Sequence, residues 1–135
     1  MTEPFRKSFT AAPVQIDEMG HVNNAVWVEW IQDMATAHWD AVAAADHARD
    51  YVWLVVRHEI DYRGNIGEGE TVTGETWIPC DPKGATSARR VDFRDVSDKV
   101  IVSALTTWAM LDRETRRPAR VRADVIAPFR IDRGK

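Results

Sequence analysis

The chain has 135 residues, 44% of them hydrophobic and 29% charged, which suits one globular domain spanning residues 1–135 and burying its own core. A net charge of −3 argues against a general nucleic-acid binder, and the apolar runs are too short to cross a bilayer. The N-terminus lacks the pattern of a secretion signal, the one cysteine (Cys80) can form no internal disulfide, and the four histidines show no ligand spacing, so no metal is expected and a reducing cytoplasm fits.

Residues 5–15 form a short mixed segment interrupted by Pro13, an edge strand at best. Asp17, Gly20, Asn23 and Asn24 follow as a cluster of turn and cap residues. From Asn24 the period changes. Trp27, Trp30, Ile31, Met34, His38, Trp39 and Val42 recur at spacings of three and four, which predicts one helix face. An alanine-rich run extends that helix to about Asp46, with Asn23 or Asn24 as its N-cap. A period of two comes next: Leu54, Val56, His58, Ile60 and Tyr62 share one strand face, while Val55, Arg57, Glu59 and Asp61 share the other. Residues 64–69 read as a turn, 71–78 as a β-branched strand, 81–84 as a reverse turn and 85–94 as another strand. A tight connection at 96–99 leads to a long, largely apolar strand over 100–111, which 112–118 ends.

Short turns force antiparallel neighbours, and a helix with one apolar face must bury that face on the sheet. The expected class is therefore α+β, an antiparallel sheet wrapped around one long helix. Six tryptophans fill core and subunit interface. Such a sheet leaves edges or an outer face bare, so a homodimer or homotetramer is expected.

The chemistry concentrates in residues 17–24, where a carboxylate, a glycine, a histidine and two amides feed a helix start. A polar loop ending in an N-cap accounts for these residue types, with Gly20 supplying a left-handed turn. Helix-start N–H groups also suit a developing oxyanion, with Asp17 as base or nucleophile. The pattern Asp17-x-x-Gly20-His21-Val22-Asn23-Asn24-x-x-Trp27 resembles the signature of the 4-hydroxybenzoyl-CoA thioesterase-like branch of the hotdog superfamily, and acyl-ACP thioesterases carry a similar segment. Weaker likeness continues through residues 56–63, 67–72 and 111–115, so that the resemblance covers roughly residues 6–128.

The resemblance implies a hotdog fold and hydrolysis of an acyl-CoA, with coenzyme A entering as part of the substrate and no separate cofactor. It places Asp17 as the catalytic carboxylate, backbone N–H groups near Asn23 and Asn24 as the oxyanion site, and His21 with Asn24 as orienting groups. Gly20, Trp27, His58 and Arg63 are the expected substrate-side residues. The family commonly has tyrosine where Trp27 stands, so a hydroxyl is missing here. Glu29 and Asp33, which would serve a helix-borne carboxylate scheme, read as a solvated helix face. Arg57, Arg63, Arg89 and Arg90 are within the strands' reach of a carrier phosphate, although strand-edge arginines usually face solvent. The crowd of Arg113, Arg116, Arg117, Arg120 and Arg122 reads as a solvated turn or as a docking patch for an acidic acyl carrier protein. Alternatives are an acyl-ACP thioesterase and an acyl-CoA-binding hotdog protein without turnover.

Overall fold

The computed structural model describes residues 3–133. Its long helix, α1 (Asn24–Val42), buries Trp27, Trp30, Ile31, Met34 and His38 and leaves Glu29 and Asp33 exposed, so the period seen in the sequence is the buried stripe. The alanine run does not carry the helix on to Asp46. Ala43 and Ala44 are extended, with ψ of 141° and 143°, and a second helix, α2 (Ala45–Asp50), begins. Tertiary contacts override propensity there. His47 of α2 is buried, and the Arg113 guanidinium donates to the carbonyls of Ala48, Arg49 and Tyr51.

Five strands form one antiparallel sheet: β1 (Phe5–Thr10), β2 (Tyr51–Tyr62), β3 (Thr71–Trp77), β4 (Thr86–Arg94) and β5 (Val100–Asp112), in the order β1-β3-β4-β5-β2. This is the hotdog architecture. Met34 of the helix packs tightly on the sheet at Gly74, where an added Cβ would sit 2.6 Å from the Met34 sulfur. A larger residue there would force the Met34 side chain to shift.

One strand departs from the simple alternation. A β-bulge between Val55 and Arg57 shifts the register of β2 against β5, so Val55 lies opposite Trp108 while His58 lies opposite Thr106. Leu54 and Val56, expected beside His58 and Ile60, are instead 54% and 61% exposed. β2 is also an outer strand of the sheet.

Two clusters make the core. Trp27, Trp30, Ile31, Met34, Val91 and Phe93 belong to the one under the start of α1. The other gathers Ile78, Met110, Val121, Val125, Ile126 and Phe129. Its C-terminal members come from α3 (Ala123–Ile126) and the 3₁₀ turn Ala127–Phe129, elements the sequence analysis did not anticipate. Backbone bonds from Ile78 N–H to Phe129 O and from Ile131 N–H to Ile78 O stitch this tail to the end of β3. Among the described residues, no helix is long and apolar enough to cross a membrane.

Candidate active site

Residues 15–23 fold back on themselves before α1. Asn23 N–H donates to Gln15 O at 3.0 Å, Ile16 bridges Val22, and Asp17 N–H donates to His21 O at 2.8 Å. Gly20, with φ +81°, turns the tip. The carboxylate of Asp17 closes the loop from inside: its Oδ1 accepts the N–H of Met19 at 2.9 Å and that of His21 at 3.1 Å. Asp17 is half-buried, and its second oxygen accepts no hydrogen bond from the described residues. The carboxylate is thus fixed by one oxygen and open at the other.

The helix start next to it is almost fully satisfied. Asn23 is the N-cap, its Oδ1 accepting the Ala25 N–H at 2.8 Å, and its carbonyl accepts from Val26 and Trp27. Asn24 is the first helical residue and does not cap. Its own N–H is the one donor of the first turn with no partner among the described residues. Of the two amides expected to polarise a carbonyl, the Asn23 N–H is spent on Gln15, and the Asn24 N–H remains.

A residue that sequence reasoning missed holds this arrangement in place. The Asn65 side-chain oxygen accepts the N–H of Ile66 at 2.8 Å, of Val22 at 3.2 Å and of the Trp27 indole at 3.3 Å, while its amide donates to Val22 O at 3.2 Å. One side chain thereby ties loop, helix and the 64–69 turn together. Its only signal in the sequence is an asparagine inside a glycine-bounded turn. Gly67 belongs to the same contact, since a Cβ there would lie 3.4 Å from Gly20 O.

The expected site residues therefore divide. Asp17, Gly20, His21, Asn23 and Asn24 come together in one loop and helix start, with the exposed His21 imidazole beside them. Trp27 lies beneath, fully buried, edge-on to Trp30 and Phe93. Arg63 sits exposed two residues before Asn65, paired with Asp61 at 3.9 Å. His58 is elsewhere, along β2, where its Nδ1 and the Thr106 hydroxyl share a hydrogen bond of 2.8 Å. Burial pushes the His58 imidazole below the usual histidine range. Among the described residues, no group of His, Cys, Asp and Glu side chains is placed to hold a metal ion.

A family model described as the acyl-ACP thioesterase N-terminal domain matches residues 2–129. A chloroplastic acyl-(acyl-carrier-protein) hydrolase of Cuphea viscosissima is 26% identical over 87 residues, covering 62% of this chain and 21% of that protein. The solved 12:0-ACP thioesterase of Umbellularia californica superposes with a TM-score of 0.81 at 18% identity, over 96% of this chain and 51% of its own. A predicted thioesterase of Bacillus stearothermophilus superposes at 0.79 and 19% identity, over 96% of this chain and 98% of its own. The chain thus spans about half the length of the Umbellularia structure and about a fifth of the Cuphea protein.

Proposed function

The chain belongs to the acyl-ACP thioesterase N-terminal domain family, and from that premise we propose that it hydrolyses an acyl thioester at the loop preceding α1, with acyl-CoA as substrate. The observation that carries this reading is the Asp17 carboxylate, anchored through Oδ1 with its other oxygen open, in the loop that leads to the unpartnered Asn24 N–H. In the proposed reaction the thioester oxygen takes the Asn24 N–H and the positive end of α1 as negative charge develops on it. Asp17 removes a proton from the attacking water, or attacks the carbonyl carbon itself. Collapse of the tetrahedral species breaks the C–S bond, and the departing thiolate takes up a proton. Where Asp17 is the nucleophile, water then hydrolyses the resulting acyl–Asp17 anhydride to the free acid and the restored carboxylate. His21, exposed and with no side-chain partner among the described residues, orients the carbonyl or the water.

The test is free-thiol release from short, long and aromatic acyl-CoAs by the parent and by Asp17→Asn. The amide oxygen of the variant still accepts the Met19 and His21 N–H groups, so the loop survives while the charge is lost. The expected result is at least a ~100-fold fall in turnover with unchanged thermal melting. Equal rates at equal folding would overturn the role of Asp17.

The family match also favours a second reading, in which the thioester is carried by acyl carrier protein. Arg113, Arg116, Arg117, Arg120 and Arg122 are all exposed on one stretch; Arg113 is held by three carbonyls, Arg122 by Asp124 and Arg116 by Arg113 O at 3.3 Å. Docking of an acidic carrier there would weaken as salt rises, while hydrolysis of acyl-CoA would respond less. We further propose that a second copy pairs along β2, an outer strand of 12 residues carrying exposed Leu54 and Val56. Sedimentation of the parent against Val56→Lys tests this, and a monomeric parent would refute it.

A further inference from the structure

At the other end of α1, about 22 Å along the helix from Asn24 to Trp39 at 1.5 Å per residue, helix and sheet enclose a partly open cavity of about 260 Å³. Its walls include Trp39, Trp53, Ser87, Arg89, Trp108 and Arg113. Arg89 is 5% exposed, and no carboxylate pairs with it among the described residues. One guanidinium nitrogen donates to His38 Nδ1 at 2.9 Å and to Thr76 Oγ1 at 3.1 Å, and the group stacks over Phe129 at 5.6 Å. Those partners are neutral. Burial, helped by the Arg89 charge, pulls His38 down to about 3, while Arg89, lowered by burial to about 9, stays cationic at neutral pH.

The chain treats its buried carboxylate differently. Glu75, 5% exposed, receives Arg94 at 3.0 Å and Arg6 at 3.1 Å. Among the residues that line the cavity with Arg89, by contrast, three polar atoms are buried without partners: the indole nitrogens of Trp53 and Trp108 and the hydroxyl of Ser87. Indole N–H and guanidinium groups only donate, and a hydroxyl can donate. Each unmet donor carries a desolvation cost, and an uncompensated buried cation a larger one. A surplus of donors around one cation, walled by aromatic rings, has the complement of an anion with an apolar body. A phosphate would want a second cation, and Arg113 is already held by three carbonyls.

We propose that this cavity binds the carboxylate of a small apolar acid, with Arg89 as its counter-charge and Ser87, Trp53 and Trp108 as its neutral donors. The carboxylate comes either from the free acid that thioester hydrolysis releases or from the distal end of a dicarboxylic acyl thioester. Binding itself does not depend on the proposed thioesterase activity; only the choice between these sources rests on it.

Tryptophan fluorescence reads binding directly, because Trp39, Trp53 and Trp108 line the cavity. Hexanoate should bind saturably and at least tenfold more tightly than hexan-1-ol, and Arg89→Met should abolish that preference. Hexanoate and hexanol binding alike to the parent, or a preference that survives in Arg89→Met, would overturn the proposal. Should Arg89→Met fail to fold, Ser87→Ala decides: a several-fold loss for hexanoate alone supports the site, and an unchanged ratio refutes it. Hydrolysis then assigns the source. Adipoyl-CoA favoured over hexanoyl-CoA, with the advantage lost in Arg89→Met, points to the substrate. Inhibition by hexanoate that the same variant relieves points to the free acid.

Discussion

The two ends of α1 handle polar groups in opposite ways. At its start, the loop carrying Asp17 is exposed, yet its carboxylate, cap and backbone answer one another, and Asn65 alone closes four hydrogen bonds. Near its end, Arg89 is buried with no carboxylate against it, and the Ser87 hydroxyl and the indole nitrogens of Trp53 and Trp108 are buried without partners among the described residues. The first end is nearly complete in itself, with one Asp17 carboxylate oxygen and the Asn24 N–H unpartnered among the described residues. The second stores a cost that a ligand would relieve. Completeness gives the loop its fixed geometry; incompleteness marks the cavity.

Mutation separates the two most widely in stability. Asn65→Ala strips the acceptor from the Ile66 N–H and the Trp27 indole and cuts the loop from its turn. With two donors left unmet, the expected cost is about 2–4 kcal/mol. Ser87→Ala, which removes a buried hydroxyl that has no partner, is expected to relieve its desolvation cost and raise stability by up to about 1–3 kcal/mol. Chemical denaturation of both variants checks the contrast, and equal losses would erase the distinction between a satisfied end and an unsatisfied one.

Acid should act through the cavity end before it acts on the buried carboxylate. Unfolded, His38 takes up a proton near 6.5; folded, it does so only at about 3, because burial and the neighbouring Arg89 oppose the charge. The unfolded state therefore binds more protons between these values, and stability falls as pH drops from 6.5 toward 3, by at most about 1.4 kcal/mol per pH unit. His58, shifted in the same direction by burial, adds to the loss. Glu75 enters at lower pH: burial raises its carboxyl, but Arg94 and Arg6 together hold it below the usual range, so its contribution is lost only as the carboxylates protonate. Denaturant midpoints between pH 6.5 and 4.5 should decline in the parent and decline less steeply in His38→Gln, which keeps an acceptor for Arg89 and retains the His58 contribution. Parallel declines in the two would remove His38 from the account.

The same contrast decides what could be read from the sequence. The sheet, the helix stripe and the Asp17 loop are written in near neighbours: periods of two and of three to four, turn residues between strands, and a cap ahead of an apolar run. The cavity is written nowhere locally. Arg89 read as a strand-edge arginine facing solvent, and it is buried because β4 lies between β3 and β5, with its inner face turned to His38 on the helix. The bulge at Val55 and Arg57 was equally invisible, since adding one residue to a strand leaves its composition unchanged while exposing Leu54 and Val56. The end of α1 at Val42 defied the alanines that follow it because packing of α2 prevails over propensity.

The finest test lies between two adjacent asparagines that the sequence leaves equivalent as caps. Asn23 holds extended backbone, φ −62° and ψ 142°, and its side chain accepts the Ala25 N–H, so Asn23→Ala should cost about 1 kcal/mol. Asn24 is already helical and exposed, and Asn24→Ala should leave stability unchanged or slightly raised, because alanine is the better helix former. The chemistry should divide differently. The Asn24 contribution proposed for the oxyanion is its backbone N–H, which alanine retains, so Asn24→Ala should keep most of its turnover. Asn23→Ala frays the first turn that aims this N–H and should lower turnover along with the melting temperature. A large loss of turnover in Asn24→Ala at unchanged stability would instead place its side chain, not its backbone, against the substrate.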